Sequence, residues 1–184
     1  PPRSTLFPYT TLFRSYAQQC YENALSLSGK LEGTVYIPYI YQALGTVEFF
    51  RYHLDEAILL FNRVIEAMEG ERIQELLPNY GYRMWSYLNQ GEFERALEDC
   101  EYLESSLSWA ENPLILAQLY QQISVYYSFT GQDPTKAIRY TELSQELSRK
   151  ADNQLYLYGS FFGRLPALLA RSEERRVGKE CRSR

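Results

Sequence analysis

The chain has 184 residues, 45% of them hydrophobic and 15% aromatic, with a formal net charge of −4, which is enough for one domain with a substantial core. An acidic balance repels phosphate backbones and argues against nucleic-acid binding. No run of about eighteen apolar residues occurs, so the sequence holds no membrane-spanning helix.

At the two ends, Thr5 to Ser15 reads TLFPYTTLFRS and Arg171 to Cys181 reads RSEERRVGKEC, and neither carries the helical periodicity of the segment between them. The genetic code relates them: Ser15 as TCT complements AGA for Arg171, Phe13 as TTC complements GAA for Glu173, Pro8 as CCC complements GGG for Gly178, and Thr5 as ACA complements TGT for Cys181. All eleven residue pairs can be coded in this way. Both stretches resemble translated sequencing adapter, so residues 1–15 and 171–184 are read as artefact and the domain as residues 16–170. Leaving out the eight basic and three acidic residues of these ends takes the formal charge from −4 to −9, which strengthens the case against nucleic acid.

From Tyr16 the pattern predicts a helix to about Leu27, a loop at Gly29 to Gly33, and a second helix capped by Thr34 that runs to about Arg51, with Pro38 harmless in its opening turn. After a turn at Tyr52 to Leu54, Asp55 and Glu56 open a helix to Met68, placed well for its dipole. Ala57, Leu60, Phe61, Val64, Ile65 and Met68 form its apolar stripe. In the helix before it, Tyr41, Leu44, Gly45 and Glu48 lead to Phe49, and the small Gly45 allows a neighbouring helix to lie close.

Glu69 to Glu71 ends this pair. The next helix starts at either Ile73 or Asn79, because Pro78 disfavours α geometry in the residue before it, and it runs to Asn89. Beyond a turn at Asn89 to Gly91, the helix Glu92 to Leu107 presents Phe93, Ala96, Leu97, Cys100, Leu103 and Leu107 on one face. Helices at Pro113 to Thr130 and Pro134 to Lys150 follow, the second capped by Asp133. Leu155 to Ala170 is expected to begin a further pair.

The second-helix anchors Ala17, Ala57, Ala96 and Ala137 lie 40, 39 and 41 residues apart. Regular spacing of this size means stacked helical hairpins, each unable to bury its apolar face alone. The residues resemble the tetratricopeptide repeat family. Ala57 with Phe61, and Ala17 with Tyr21, Ala24 and Leu25, match its second-helix pattern; Leu44 with Gly45, Tyr87 with Gly91, and Tyr127 with Gly131 match its first helix and turn. The spacing exceeds the family's usual ~34 residues, Cys100 and Thr141 stand where an aromatic belongs, and the closing proline is absent. The longer period is similar to variant repeats of bacterial signalling proteins and transcriptional activators. The resemblance implies an all-α, right-handed helical-hairpin solenoid with partial units at both ends, whose uncovered apolar faces favour self-association.

In that family the first helices line a concave groove that receives a peptide. Carried over by position, the groove consists of Tyr39, Gln42, Thr46 and Phe49; then Tyr82, Trp85 and Asn89; then Gln118, Gln121, Gln122, Val125 and Ser128. The share of the last unit is polar and lacks an aromatic. Tyrosine and tryptophan suit such a surface because they combine apolar area with a polar handle, although the same rings also serve inter-helix packing. The groove set holds no lysine or arginine, so the partner is expected to be a neutral, apolar or basic protein or peptide segment.

The residues point to no enzyme, cofactor or metal. His53 is the single histidine and reads as a solvated turn residue. No phosphate loop, GxSxG or HExxH occurs. Glu92, Glu94, Glu98, Asp99, Glu101 and Glu104 cluster, but Glu94, Glu98 and Glu101 share an outer helix face where carboxylates are simply hydrated. Cys20 and Cys100 fall within second-helix patterns and read as buried thiols, which suits the cytoplasm. Two functions remain open: a protein-interaction scaffold that is part of a larger protein, or a sensory or regulatory domain of a bacterial signalling protein or transcriptional activator whose groove takes a small ligand.

Overall fold

The computed structural model describes residues 36–67 and 73–153, together with Gln19, Glu22, Asn23 and Ser26 as separate helical positions. Apart from those four positions, the helix expected from Tyr16, the loop at Gly29, the Thr34 cap, the end at Glu69 to Glu71, the helix expected from Leu155 and both adapter-like ends lie outside the described residues. Every element among the described residues is helical, with no strand. The chain divides into two units, with the boundary after Glu71.

The first unit contains α1 (Ile37–Phe50) and α2 (Leu54–Ala67), packed on each other. Pro38 falls in the opening turn of α1, where a missing N–H and a fixed φ are tolerated. Leu44, Gly45 and Glu48 are its buried residues. A Cβ on Gly45 would lie 2.7 Å from the Phe61 ring, so the bare glycine sets how near α2 comes. The chain reverses through Tyr52, whose φ is 65°; its amide donates to Phe49 O at 2.9 Å and that of His53 to Glu48 O at 3.0 Å. This left-handed C-cap is usually glycine's position. In α2 the buried seam runs through Leu54, Ala57, Ile58, Phe61 and Val64, while Leu60 and Ile65, expected on it, are half-buried.

The second unit opens with a 3₁₀ turn, Gln74–Leu76, then α3 (Pro78–Gln90), α4 (Phe93–Ser106), α5 (Pro113–Thr130) and α6 (Pro134–Lys150). α3 starts at Pro78, one residue before the later of the two starts expected from the sequence, with proline at its first position. Gly91 at φ 80° and Gly131 at φ 67° end α3 and α5 in left-handed geometry. Asn112 Oδ1 accepts from Leu114 N at 2.9 Å and Asp133 Oδ1 from Lys136 N at 2.8 Å, capping α5 and α6. The Gln74 side chain accepts from the amides of Glu111 and Asn112 at 3.0 and 2.9 Å, tying the start of this unit to the loop before α5.

Packing joins α3 to α4, α5 to α6 and α3 to α5, with a smaller contact between α4 and α5 and nothing comparable between α4 and α6. Leu77, Met84, Leu103, Leu119, Ile123 and Tyr126 are fully buried and form the core. The face predicted for α4 needs correction. Phe93 is 51% exposed, whereas Asp99 and Ser106 are buried. Both polar groups are satisfied there, Asp99 by Arg83 and Ser106 by a 2.9 Å bond to Tyr102 O, which is what makes their burial affordable. Along α6, Thr141, Ser144, Gln145 and Ser148 are likewise buried. The Ser144 hydroxyl donates across to Ala117 O of α5 at 2.7 Å.

Candidate binding face

The groove residues expected on α1 lie along that helix, with Tyr39 38% exposed and Gln42, Thr46 and Phe49 half-buried. Thr46 spends its hydroxyl on Gln42 O of the same helix, at 2.8 Å. Ser and Thr commonly bond back to the preceding turn in this way.

In the second unit, α3 and α5 lie side by side. Tyr82 and Trp85 are half-buried and meet edge to face, ring centroids 5.8 Å apart. Asn89 is exposed and donates to Trp85 O at 2.7 Å. Gln121, Val125 and Ser128 are half-buried along α5. Gln118 and Gln122 are different: they are 8% and 1% exposed, so neither offers its amide to a surface. Gln122 is a packing residue. Its Nε2 donates to Pro78 O at 3.0 Å, and its backbone carbonyl accepts from Trp85 Nε1 at 3.3 Å. A Cβ on Gly81 would lie 2.0 Å from the Gln122 side-chain carbonyl carbon. The periodicity is blind to this, since it puts a polar residue on a helix face without showing which neighbour is bare enough to receive it.

No Asp, Glu, Lys or Arg occurs anywhere in α5, and α3 has only Arg83. That one charge is neutralised within its own hairpin. Arg83 holds Asp99 of α4 through two bonds, at 2.9 and 2.5 Å, with side-chain exposures of 18% and 3%. Burial holds the Asp99 carboxyl above its usual range, and the Arg83 guanidinium offsets only part of that rise. Around this pair, Tyr80 stacks on Tyr102 with ring centroids 4.1 Å apart, and the Arg83 guanidinium lies 5.4 Å from the Tyr80 ring. The first-helix surface is therefore built from rings, amides and aliphatic groups.

A second polar cluster repeats between the hairpins. In α3/α4, Arg95 donates to the Tyr87 hydroxyl at 2.7 Å and sits 4.2 Å from its ring. In α5/α6, Lys136 donates to the Tyr127 hydroxyl at 2.8 Å and sits 4.7 Å from its ring. Both tyrosines precede the turn glycine by four residues, and both cations precede the alanine anchor by one. The sequence carries the signal as the pairs Tyr87 with Gly91 and Tyr127 with Gly131, while nothing in it marks the two cations as their partners. Glu104 completes the later cluster: it accepts from Lys136 at 3.1 Å, Tyr140 at 2.7 Å and Tyr127 at 3.1 Å. Burial, and then Glu104, hold the Tyr140 phenol well above the ordinary tyrosine range.

The catalytic types are placed apart. Cys100 is buried, and burial pushes its thiol up, away from the reactive thiolate. His53 is not merely solvated: its Nδ1 lies 2.7 Å from Glu48 Oε2 across the α1/α2 turn. Glu94, Glu98 and Glu101 are exposed on the outer face of α4. Among the described residues no three metal-ligating side chains converge, and no helix is long and apolar enough to cross a membrane. Comparison with family models, with curated proteins and with solved structures found no match.

Proposed function

We propose that this chain is a tetratricopeptide-like module, a right-handed solenoid of helical hairpins within a larger cytoplasmic protein, that binds a protein or peptide segment without catalysing a reaction. The observation that carries this reading is the recurrence of one clasp at one place in successive hairpins: Tyr87 with Arg95, and Tyr127 with Lys136. A pairing repeated at the forty-residue step is what stacked copies of one unit produce. The near absence of charge on α3 and α5 fits a binding strip, because the centres of protein interfaces are depleted in charged residues and enriched in tyrosine and tryptophan. The segment it takes is neutral, apolar or basic, and the two adapter-like ends play no part.

Panning the full chain against peptide pools sorted by charge tests this. The uncharged and basic pools should be retained and the acidic pool lost, and Tyr39→Ala, Tyr82→Ala and Gln121→Ala should each weaken retention in a chain that remains folded. Retention of no pool, or retention indifferent to all three substitutions, would overturn the reading. Trp85 is a poor probe, since its indole N–H is engaged with α5.

A further inference from the structure

Besides the smaller α4–α5 contact, the α3/α4 and α5/α6 hairpins meet on two sides that differ in kind. On the side of the first helices, contact is close and buried: Gly81 receives the side chain of Gln122, which is 1% exposed, and Trp85 bonds to the α5 backbone. On the side of the second helices, α4 and α6 lack comparable packing, and the separation is spanned by long side chains. Glu104 reaches from α4, and Lys136 and Tyr140 reach from α6, with Tyr127 of α5 completing the group. Of the ion pairs among the described residues, Glu104–Lys136 alone joins two hairpins. Its side chains are 23% and 45% exposed, so water can take over either end.

A bare, buried contact on one side and a solvent-reachable polar bridge on the other are the parts of a hinge. We propose that Gly81 and Gln122 form its fulcrum and that Glu104 is the latch that sets the angle between the two hairpins. Packed cores resist continuous deformation, so release of the latch swings α6 away from α4 while the α3–α5 contact holds. Glu104 acts here as a positioning residue, and chemistry that removes the Lys136 charge or occupies the Tyr140 hydroxyl weakens the latch in the same direction, by one arm rather than all.

Distances between paired nitroxide labels on the full chain test this, with Cys20 and Cys181 changed to serine and the buried Cys100 retained. One pair, Glu101→Cys with Glu142→Cys, reports on α4 and α6; the other, Gln90→Cys with Phe129→Cys, reports on α3 and α5. Glu104→Ala should lengthen and broaden the α4–α6 distance by about 2 Å or more, a shift of the size seen in helix movements at interfaces, and leave the α3–α5 distance unchanged. Tyr140→Phe and Lys136→Met each remove one arm of the bridge and should move the same distance in the same direction by less, which decides the matter if Glu104→Ala does not fold. An α4–α6 distance that stays fixed in every folded variant, or an α3–α5 distance that moves equally, overturns the latch.

Discussion

The side chain of Gln122 occupies the space that a Cβ on Gly81 would need, its carbonyl carbon 2.0 Å from that position. Two helices are thereby brought together by what one residue lacks. Gly81→Ala is expected to destabilise the chain by about 1–3 kcal/mol, in the range of core overpacking, because Gln122 must yield and lose its bond to Pro78 O. In a Gln122→Ala background the same change should cost much less. Urea unfolding of the unsubstituted chain and the three variants measures the coupling, and additive costs would show that the two residues do not share the site.

The Arg83–Asp99 pair carries the opposite risk. With Asp99 3% exposed, Arg83→Met leaves a buried carboxylate without its partner, and breaking such a pair typically costs about 3–5 kcal/mol. Joint replacement, Arg83→Met with Asp99→Leu, should recover most of that loss. Chemical denaturation of the single and double variants decides it, and a double variant less stable than Arg83→Met would contradict the assignment.

Stability should fall in alkali. Burial is the first cause raising Tyr80, Tyr87, Tyr126, Tyr127 and Tyr140 above the ordinary 10.0. Lys136 is raised first by its bond to Tyr127. Groups raised in the folded state hold their protons after the unfolded chain has released its own, so the unfolded state binds fewer protons and the slope of stability with pH is negative. The contribution is whole below the unfolded values and is lost as pH climbs from about 9–10 through the folded ones. Urea midpoints between pH 7 and 11 should show the decline, with a shallower slope in Tyr140→Phe.

Cys100 should be chemically silent in the native state. Its thiol is buried and held in the protonated form, and thiolate is the reactive species. Iodoacetamide at pH 8 followed by peptide mapping should leave Cys100 unmodified until denaturant is added. Rapid native labelling there would mean that α4 opens locally.

Much of the helical layout was legible because its signals are local. Pro113, Pro134, Gly91 and Gly131 mark boundaries through backbone chemistry alone: α5 begins and ends, α6 begins and α3 ends where those residues place them. The candidate face was less legible. Gln118 and Gln122 share a periodic position with Gln121, Val125 and Ser128, yet they are buried, and for Gln122 the room is left by Gly81 on another helix. In the sequence Asp99 is indistinguishable from the hydrated glutamates around it, and only its bond to Arg83, sixteen residues earlier, sets it apart. Long-range partners of polar residues leave no period to read.

The absence of charge along α5 has a consequence in salt. Ionic strength acts on a surface through its fixed charges, and at physiological salt it screens them beyond roughly 8 Å. An encounter confined to α5 should therefore keep its strength from dilute buffer to brine, whereas anything that settles on the glutamate face of α4 should fade as salt is added.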